Sequence, residues 1–392
     1  MVRFARNKQK RKEMDIPFVF GKIADGKDFT DRKEDTERLL TNFRGLVSTV
    51  IISPRRWGKT SLVNHVLERL GREKGYVRCK VDVFNCRTEA QFYQAYVNAV
   101  LRASATKVDE LIGMAKQYLR SFGPKLTFGE MGSQHEMSLG LDFRDRQYSV
   151  DEILDLPQRI AEERGKKFVV CIDEFQNVSA YDDPVGFQRQ LRAHWQRHDR
   201  VGYCLYGSKK HMLLDIFSNY EMPFYKFGDI MFLDKICEAE WEKYIVERFG
   251  ETGKKIDSDT ARHVAQLVEC HPYYVQQLAQ QAWLRTVDAC DKRIVDGAFD
   301  ALVDQLGLLF SNTIDSLRAR QISFLQAIAD GEVNYSSADV LARYGLGTSA
   351  NVKNLKAALL DRDLIDADGR RLTIQDPLFA YWLKTRYMSG RG

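Results

Sequence analysis

The first 235 residues alternate short apolar runs with longer stretches of helical periodicity. The runs cover residues 47–52, 77–83, 168–172 and 203–206. Strands buried on both faces read as continuous hydrophobic runs, so this alternation predicts an α/β domain, a parallel sheet covered by helices, over 15–235. One connection is unusually long. Between the second and third runs, the stretch from Phe122 to Leu141 is rich in Gly and Ser and predicts an inserted segment or hairpin within about 105–145. From about 236 the period changes to that of helices: Trp241, Tyr244, Ile245 and Phe249 recur at three- and four-residue steps, as do Ala261, Val264, Leu267 and Val268. A helical domain is expected over 236–315. The remainder, 316–392, predicts one helix through Ile328, a second opened by Ser336-Ser337, a turn at Gly345-Leu346-Gly347 and a third helix from Ser349 to Leu360. A hairpin from Asp366 to Ile374 follows, with Asp368-Gly369 at its turn. Three helices and a short β wing make a winged helix.

Composition adds bounds. At 392 residues the chain exceeds one compact core, and 44% hydrophobic with 29% charged residues is ordinary for a globular protein. No apolar stretch nears the ~20 residues that span a bilayer, and the basic N-terminus lacks a signal peptide's apolar core, so a cytoplasmic protein with no membrane partner is expected. The seven cysteines contain no Cys-x-x-Cys pair and read as packed thiols. Residues 1–14 are dense in Lys and Arg without periodicity and predict a flexible basic arm. Net charge is only +5, which permits nucleic-acid contact without arguing for it.

The chemistry concentrates at two strand ends. Ser53-Pro54-Arg55-Arg56-Trp57-Gly58-Lys59-Thr60-Ser61 joins the first apolar run to a helix-like segment, the order strand, phosphate loop, helix. In such a loop, backbone N–H groups and the helix N-terminus converge on a nucleotide's phosphates, the lysine reaches the β and γ oxygens, and the threonine hydroxyl ligates Mg²⁺. Ser53 stands where the pattern asks for its first glycine. The second site is Asp173-Glu174, after the buried run 168–172. Ligands sit beyond the carboxyl ends of parallel strands, so both carboxylates reach the edge that carries the loop. Asp173 suits Mg²⁺ and Glu174 suits a general base for water, which makes ATP or ADP with Mg²⁺ the expected cofactors.

Pro54-Arg55-Arg56-Trp57-Gly58-Lys59-Thr60, Ile172-Asp173-Glu174-Phe175-Gln176, Tyr206-Gly207-Ser208 and His271-Pro272-Tyr273-Tyr274 occur here in the order found in a known family. Together with the opening segment from Pro17 to Asp35 and the closing Asp376-Pro377-Leu378-Phe379-Ala380-Tyr381-Trp382, they resemble the archaeal/bacterial ATPase family of the STAND branch of AAA+ P-loop proteins. The resemblance runs from about residue 15 to the end. It implies an AAA+ nucleotide domain, a helical lid and a C-terminal winged helix, and a nucleotide-gated switch that hydrolyses ATP.

The resemblance also implies roles for single residues. Ser208 would sense the γ-phosphate or position water, though a serine there also caps the following helix. Pro272 lies in the lid element that faces the nucleotide in the family, where Cys270 replaces the usual glycine. Arg32 matches a position that contacts nucleotide or forms a surface ion pair with Glu34 or Asp35. Arg55 and Arg56 either assist at the γ-phosphate or pair with carboxylates elsewhere. After Pro223-Phe224-Tyr225 the chain has Lys226, not the family's arginine, and without that finger a slow ATPase is expected. On the winged helix, Asn351, Lys353, Asn354 and Lys356, with Arg370 and Arg371 on the wing, could meet DNA, whereas Asp361, Asp363, Asp366 and Asp368 oppose it. The alternative to a switch is thus a DNA-binding regulator whose nucleotide is structural. The protein partner and oligomeric state stay open.

Overall fold

The structure, a computed structural model, describes residues 16–119, 125–128, 137–140, 150–369 and 371–388. The basic arm, much of the 105–145 segment and Arg370 fall outside these. The chain divides into two compact units, one of Arg32–Asp234 and one that joins the segment before Arg32 to everything from Lys235.

In the first unit, α1 (Lys33–Arg44) leads to β1 (Thr49–Ile52), α2 (Lys59–Leu70), β2 (Tyr76–Asp82), α3 (Glu89–Ser104) and α4 (Val108–Tyr118). Within the expected insertion, β3 (Lys125–Phe128) and β4 (Met137–Gly140) pair as an antiparallel hairpin. Then follow α5 (Val150–Leu154), α6 (Leu156–Arg164), β5 (Lys167–Asp173), α7 (Pro184–Trp195), β6 (Val201–Gly207), α8 (Lys210–Ser218) and β7 (Asp229–Phe232). The five long-range strands form one parallel sheet in the order β2-β5-β6-β1-β7. That order explains the apolar runs. β5, β6 and β1 lie inside the sheet and are buried almost throughout, while β2 at one edge alternates along its exposed half. The other edge strand, β7, went unpredicted. Four residues, of which only Met231 is buried, leave no run to detect. Its place is fixed by Gly228, where a Cβ would lie 2.1 Å from the Ser48 carbonyl oxygen, and by Asp229, which takes a forked ion pair from Arg38 of α1.

The helices on the sheet enclose an aromatic core in which Trp195 stacks on Tyr203 at 4.3 Å and Phe175 packs edge-on to Phe224 at 5.4 Å. Phe175 follows the two carboxylates directly. Its anchoring holds the turn that carries them.

The second unit contains α9 (Glu238–Glu251), β8 (Lys255–Ile256), α10 (Ser258–Leu267), α11 (Pro272–Arg285), β9 (Ala289–Cys290), α12 (Lys292–Asp315), α13 (Ala319–Ala329), α14 (Ala338–Arg343), α15 (Ser349–Asp361), β10 (Ile365–Asp368), β11 (Arg371–Ile374) and α16 (Pro377–Trp382). The boundaries differ from expectation in two ways. Residues 16–31, assigned by pattern to the nucleotide domain, pack here instead: Phe18 is buried between Tyr244 and Phe249, and Arg248 binds Asp28. The lid and winged helix share one core rather than forming two. α12 runs 24 residues and ends at Asp315, where the boundary was expected, but its Phe310 packs on Phe379 and Trp382 at 5.4 and 5.7 Å. The three helices and the wing appear where the pattern placed them, with Gly345 and Gly347 at positive φ between α14 and α15. The wing's register differs by one residue: Asp368 pairs with Arg371, so the turn begins at Gly369. No helix of the described residues is long and apolar enough to cross a membrane.

Candidate functional site

The phosphate loop leaves β1 at Ser53 and enters α2 at Lys59. Two of its residues take left-handed backbone, Arg56 at φ 64° and Gly58 at φ 89°, and around Gly58 no atom lies within 4 Å of where a Cβ would stand. The tight turn therefore falls at Gly58. Ser53, in the place of a glycine, keeps negative φ and gains a use: its carbonyl and hydroxyl oxygens accept from the Lys59 ammonium at 2.9 and 3.2 Å. Pro54 O accepts a third bond at 2.7 Å. Lys59 is only 6% exposed, and burial pushes its pKa down to about 8 against the opposing charges of Glu174 and Asp173. Arg55 and Arg56 stand exposed on the loop, and Ser61 is buried in the first turn of α2.

The carboxylates arrive as the sheet order requires. β5 and β6 run in register with Ile172 opposite Leu205, and β6 runs beside β1 with Gly207 opposite Ile52. The ends of β5, β6 and β1 thus bring Asp173, Ser208 and Ser53 to one edge. Thr60 Oγ1 donates to Asp173 Oδ2 at 3.1 Å, joining the helix start to the neighbouring strand end. Burial, then the adjacent Glu174 charge, push the Asp173 carboxyl up to about 6, while bonds from Glu174 N and Thr60 pull the other way.

Glu174 sits at φ 56°, a left-handed position uncommon for a residue with a Cβ. One oxygen of its carboxylate, Oε2, accepts from Ser208 N at 3.2 Å, from Ser208 Oγ at 2.9 Å and from Gln176 Nε2. The geometry links Ser208 to Glu174. Sequence reasoning passed over Gln176. It is 1% exposed, with Oε1 unpartnered among the described residues, and a Cβ at Gly207 would stand 1.8 Å from that oxygen. The available signal was the pair of a glutamine two residues beyond the carboxylate and a glycine at the next strand end.

Two further candidates lie differently. Arg32 is buried, not a surface residue. Its guanidinium donates to Trp57 O at 3.1 Å and Asp234 O at 2.7 Å, and pairs with Asp35 at 3.3 Å. Pro272 opens α11 in the second unit, after Glu269 and Cys270, both at positive φ. Cys270 at φ 56° accounts for a glycine preference there. Behind β6, Arg192 donates to Pro223 O and Tyr225 O, and Lys226 Nζ lies 5.3 Å from the centre of the Tyr225 ring.

Residues 308–385 match a family described as a probable winged helix domain. Among solved structures, the chain is similar to the Walker-type ATPase of Pyrococcus abyssi at 17% identity and TM-score 0.64, over 94% of this chain and 99% of that one. It is also similar to the ORC2 protein of Aeropyrum pernix, in its ADPNP-ADP complexes, at 13% identity and TM-score 0.54, over 95% of this chain and 99% of that one. The ADP form of the same protein gives 14% identity and TM-score 0.51 over the same shares. No curated protein matches the chain. At these identities the likeness shows the fold alone: a parallel sheet covered by helices, followed by helices and a C-terminal winged helix.

Proposed function

We propose that this protein is a slow, Mg²⁺-dependent ATPase of the STAND type, in which nucleotide state switches the placement of the two units. One observation carries the reading: at a single sheet edge Thr60 hydrogen-bonds to Asp173 and Ser208 to Glu174, and the buried Lys59 ammonium feels the charge of both carboxylates. The residues fit the expected ligands. A hydroxyl and a carboxylate in contact are the hard oxygen donors that Mg²⁺ prefers, and a glycine with open space beside its Cα lets a phosphate approach the amides at the start of α2. When bound, Mg²⁺ would neutralise charge on the β and γ oxygens from Thr60 and Asp173.

The chain's own residues supply the rest. The Lys59 ammonium, gathered by Ser53 and Pro54, turns to the phosphate oxygens. Glu174, held by Ser208 and Gln176, accepts the proton of the water whose oxygen attacks the γ-phosphorus, while the bond to the β-γ bridging oxygen breaks. Slow turnover follows from Lys226 resting on Tyr225 within a segment fastened by Arg192, which leaves no arginine at that place. The named activity of the Pyrococcus abyssi relative agrees with hydrolysis. Phosphate release from ATP tests the reading: it should require Mg²⁺ and vanish in Lys59→Met, and equal release with EDTA or in the variant rejects it.

A second reading, DNA binding by the winged helix, is favoured by one feature. Lys353 and Asn354 are exposed on α15, while Val352 and Leu359 are buried beneath them.

A further inference from the structure

The chain passes between its two compact units twice, at Asp31–Arg32 and at Asp234–Lys235. One side chain joins both passages. Arg32 stands at the first, and its guanidinium donates at 2.7 Å to the carbonyl of Asp234 at the second. The same guanidinium donates at 3.1 Å to the carbonyl of Trp57, which directly precedes Gly58 and Lys59 in the phosphate loop. Asp35, one turn into α1, closes the arrangement at 3.3 Å.

Two features mark this as a built junction. The Arg32 side chain is 5% exposed, so its charge is buried, and its Nη1 and Nη2 groups serve these three acceptors. The backbone also bends sharply there: Asp31 and Arg32 take φ 54° and 67°, successive left-handed residues without a glycine. Such strain persists only where the surroundings over-determine it. Arginine suits the task because its planar fork reaches two carbonyls at fixed angles, which a lysine's single ammonium cannot reproduce.

We infer that Arg32 is a positioning residue that ties the phosphate loop to both linkers, so that nucleotide in the loop and the geometry of the linkers bias each other through it. The inference rests on the nucleotide reading above and gives its switch a physical path. Arg32 touches no phosphate in this scheme. It sets the carbonyl of Trp57, and with it the loop that does. Reciprocity is required: whatever linker arrangement the filled loop favours must in turn favour the filled loop.

The experiment uses the full chain, a fluorescent ATP analogue with Mg²⁺, and hydrogen exchange of peptides covering 53–61 and 230–238. In the wild type, saturating analogue should slow exchange in both peptides. In Arg32→Lys the analogue should bind about tenfold more weakly, within the usual span of coupling factors. At saturation it should still protect 53–61 while protection of 230–238 is lost. Linker protection that persists in Arg32→Lys overturns the inference, as does a wild-type linker indifferent to the analogue while the loop is protected; this second test needs no variant to fold. Failure of the wild-type loop itself to gain protection rejects the nucleotide reading, and the inference falls with it.

Discussion

Replacing Glu174 by glutamine separates its chemistry from its place in the fold. All three donors that reach the side chain, Ser208 N, Ser208 Oγ and Gln176 Nε2, fall on the single oxygen Oε2. The amide oxygen of glutamine can take that position and keep all three. What is lost is charge. A hydrogen bond to an ionised group contributes about 1 kcal/mol more than a neutral one, so three exchanged bonds cost up to about 3 kcal/mol. Part of this returns, because the Glu174 charge also raises the carboxyl of Asp173. A net loss of about 2 kcal/mol or less is expected, which for a unit of this size lowers Tm by roughly 4–8 °C at most. Hydrolysis should fall much further. A lost general base costs about 10²–10⁴ in rate, or about 2.7–5.4 kcal/mol of barrier. Single-turnover phosphate release and titration with a fluorescent ATP analogue read the two effects apart. Binding should hold within a few-fold while release collapses. Turnover within about threefold of wild type refutes Glu174 as the base, and parallel loss of binding refutes its placement beyond the phosphate contacts.

Three further outcomes follow from named contacts. Gly207→Ala places a Cβ 1.8 Å from Gln176 Oε1 and 3.2 Å from Glu174 Cα, so urea unfolding should show a loss of about 1–3 kcal/mol, with reduced turnover. Adding Gln176→Ala should restore stability but not turnover, and no recovery of stability would mean the clash lies elsewhere. Asp229 is held below the ordinary carboxylate range mainly by its hydrogen bonds from Arg38, so the pair stabilises above that range and the effect is lost as pH falls beneath it. Asp229→Asn should therefore cost about 1 kcal/mol at pH 7, and the gap should narrow as pH falls below the ordinary carboxylate range; a gap that stays constant as the carboxylates are protonated contradicts this. For the winged helix, Lys353→Glu with Lys356→Glu should weaken any duplex binding and lower its salt slope by about two, whereas an unchanged slope removes α15 from the interface.

What was legible in the sequence follows from how local each signal is. The interior strands β1, β5 and β6 announce themselves because burial on both faces leaves only apolar residues, and Lys59, Thr60 and Asp173 stand at their ends or just beyond. β7 is short and only its Met231 is buried, so nothing in Asp229 to Phe232 distinguishes it from a loop. Contacts across long separations are silent in a single sequence. Arg32 finds its acceptors 25 and 202 positions away, and Phe18 finds Tyr244 and Phe249 more than 220 positions on. That is why residues 16–31 were assigned to the wrong unit. The core shared across 315 is silent for a related reason: α12 ends at Asp315, and helical period alone does not say which of its side chains meet α16.

Gln176 shows how a residue without a motif of its own becomes necessary. Glu174 adopts left-handed backbone at the end of β5, and the turn that follows sends Phe175 down into the aromatic core. With Phe175 anchored, Gln176 is carried to the side facing β6, where its amide donates to the Glu174 carboxylate. That side is open only because Gly207 lacks a Cβ. The next residue along, Ser208, then reaches the same carboxylate oxygen from the neighbouring strand end. A carboxylate fixed by donors from two strands loses little freedom when it acts, which is the preorganisation that a proton acceptor beside a phosphate needs. The strand order β5-β6-β1 makes this possible, since it sets the end of β6 between the carboxylates and the loop. Any change that slides β6 by one residue would exchange Ser208 for Gly207 beside Glu174, and with it a hydroxyl for nothing.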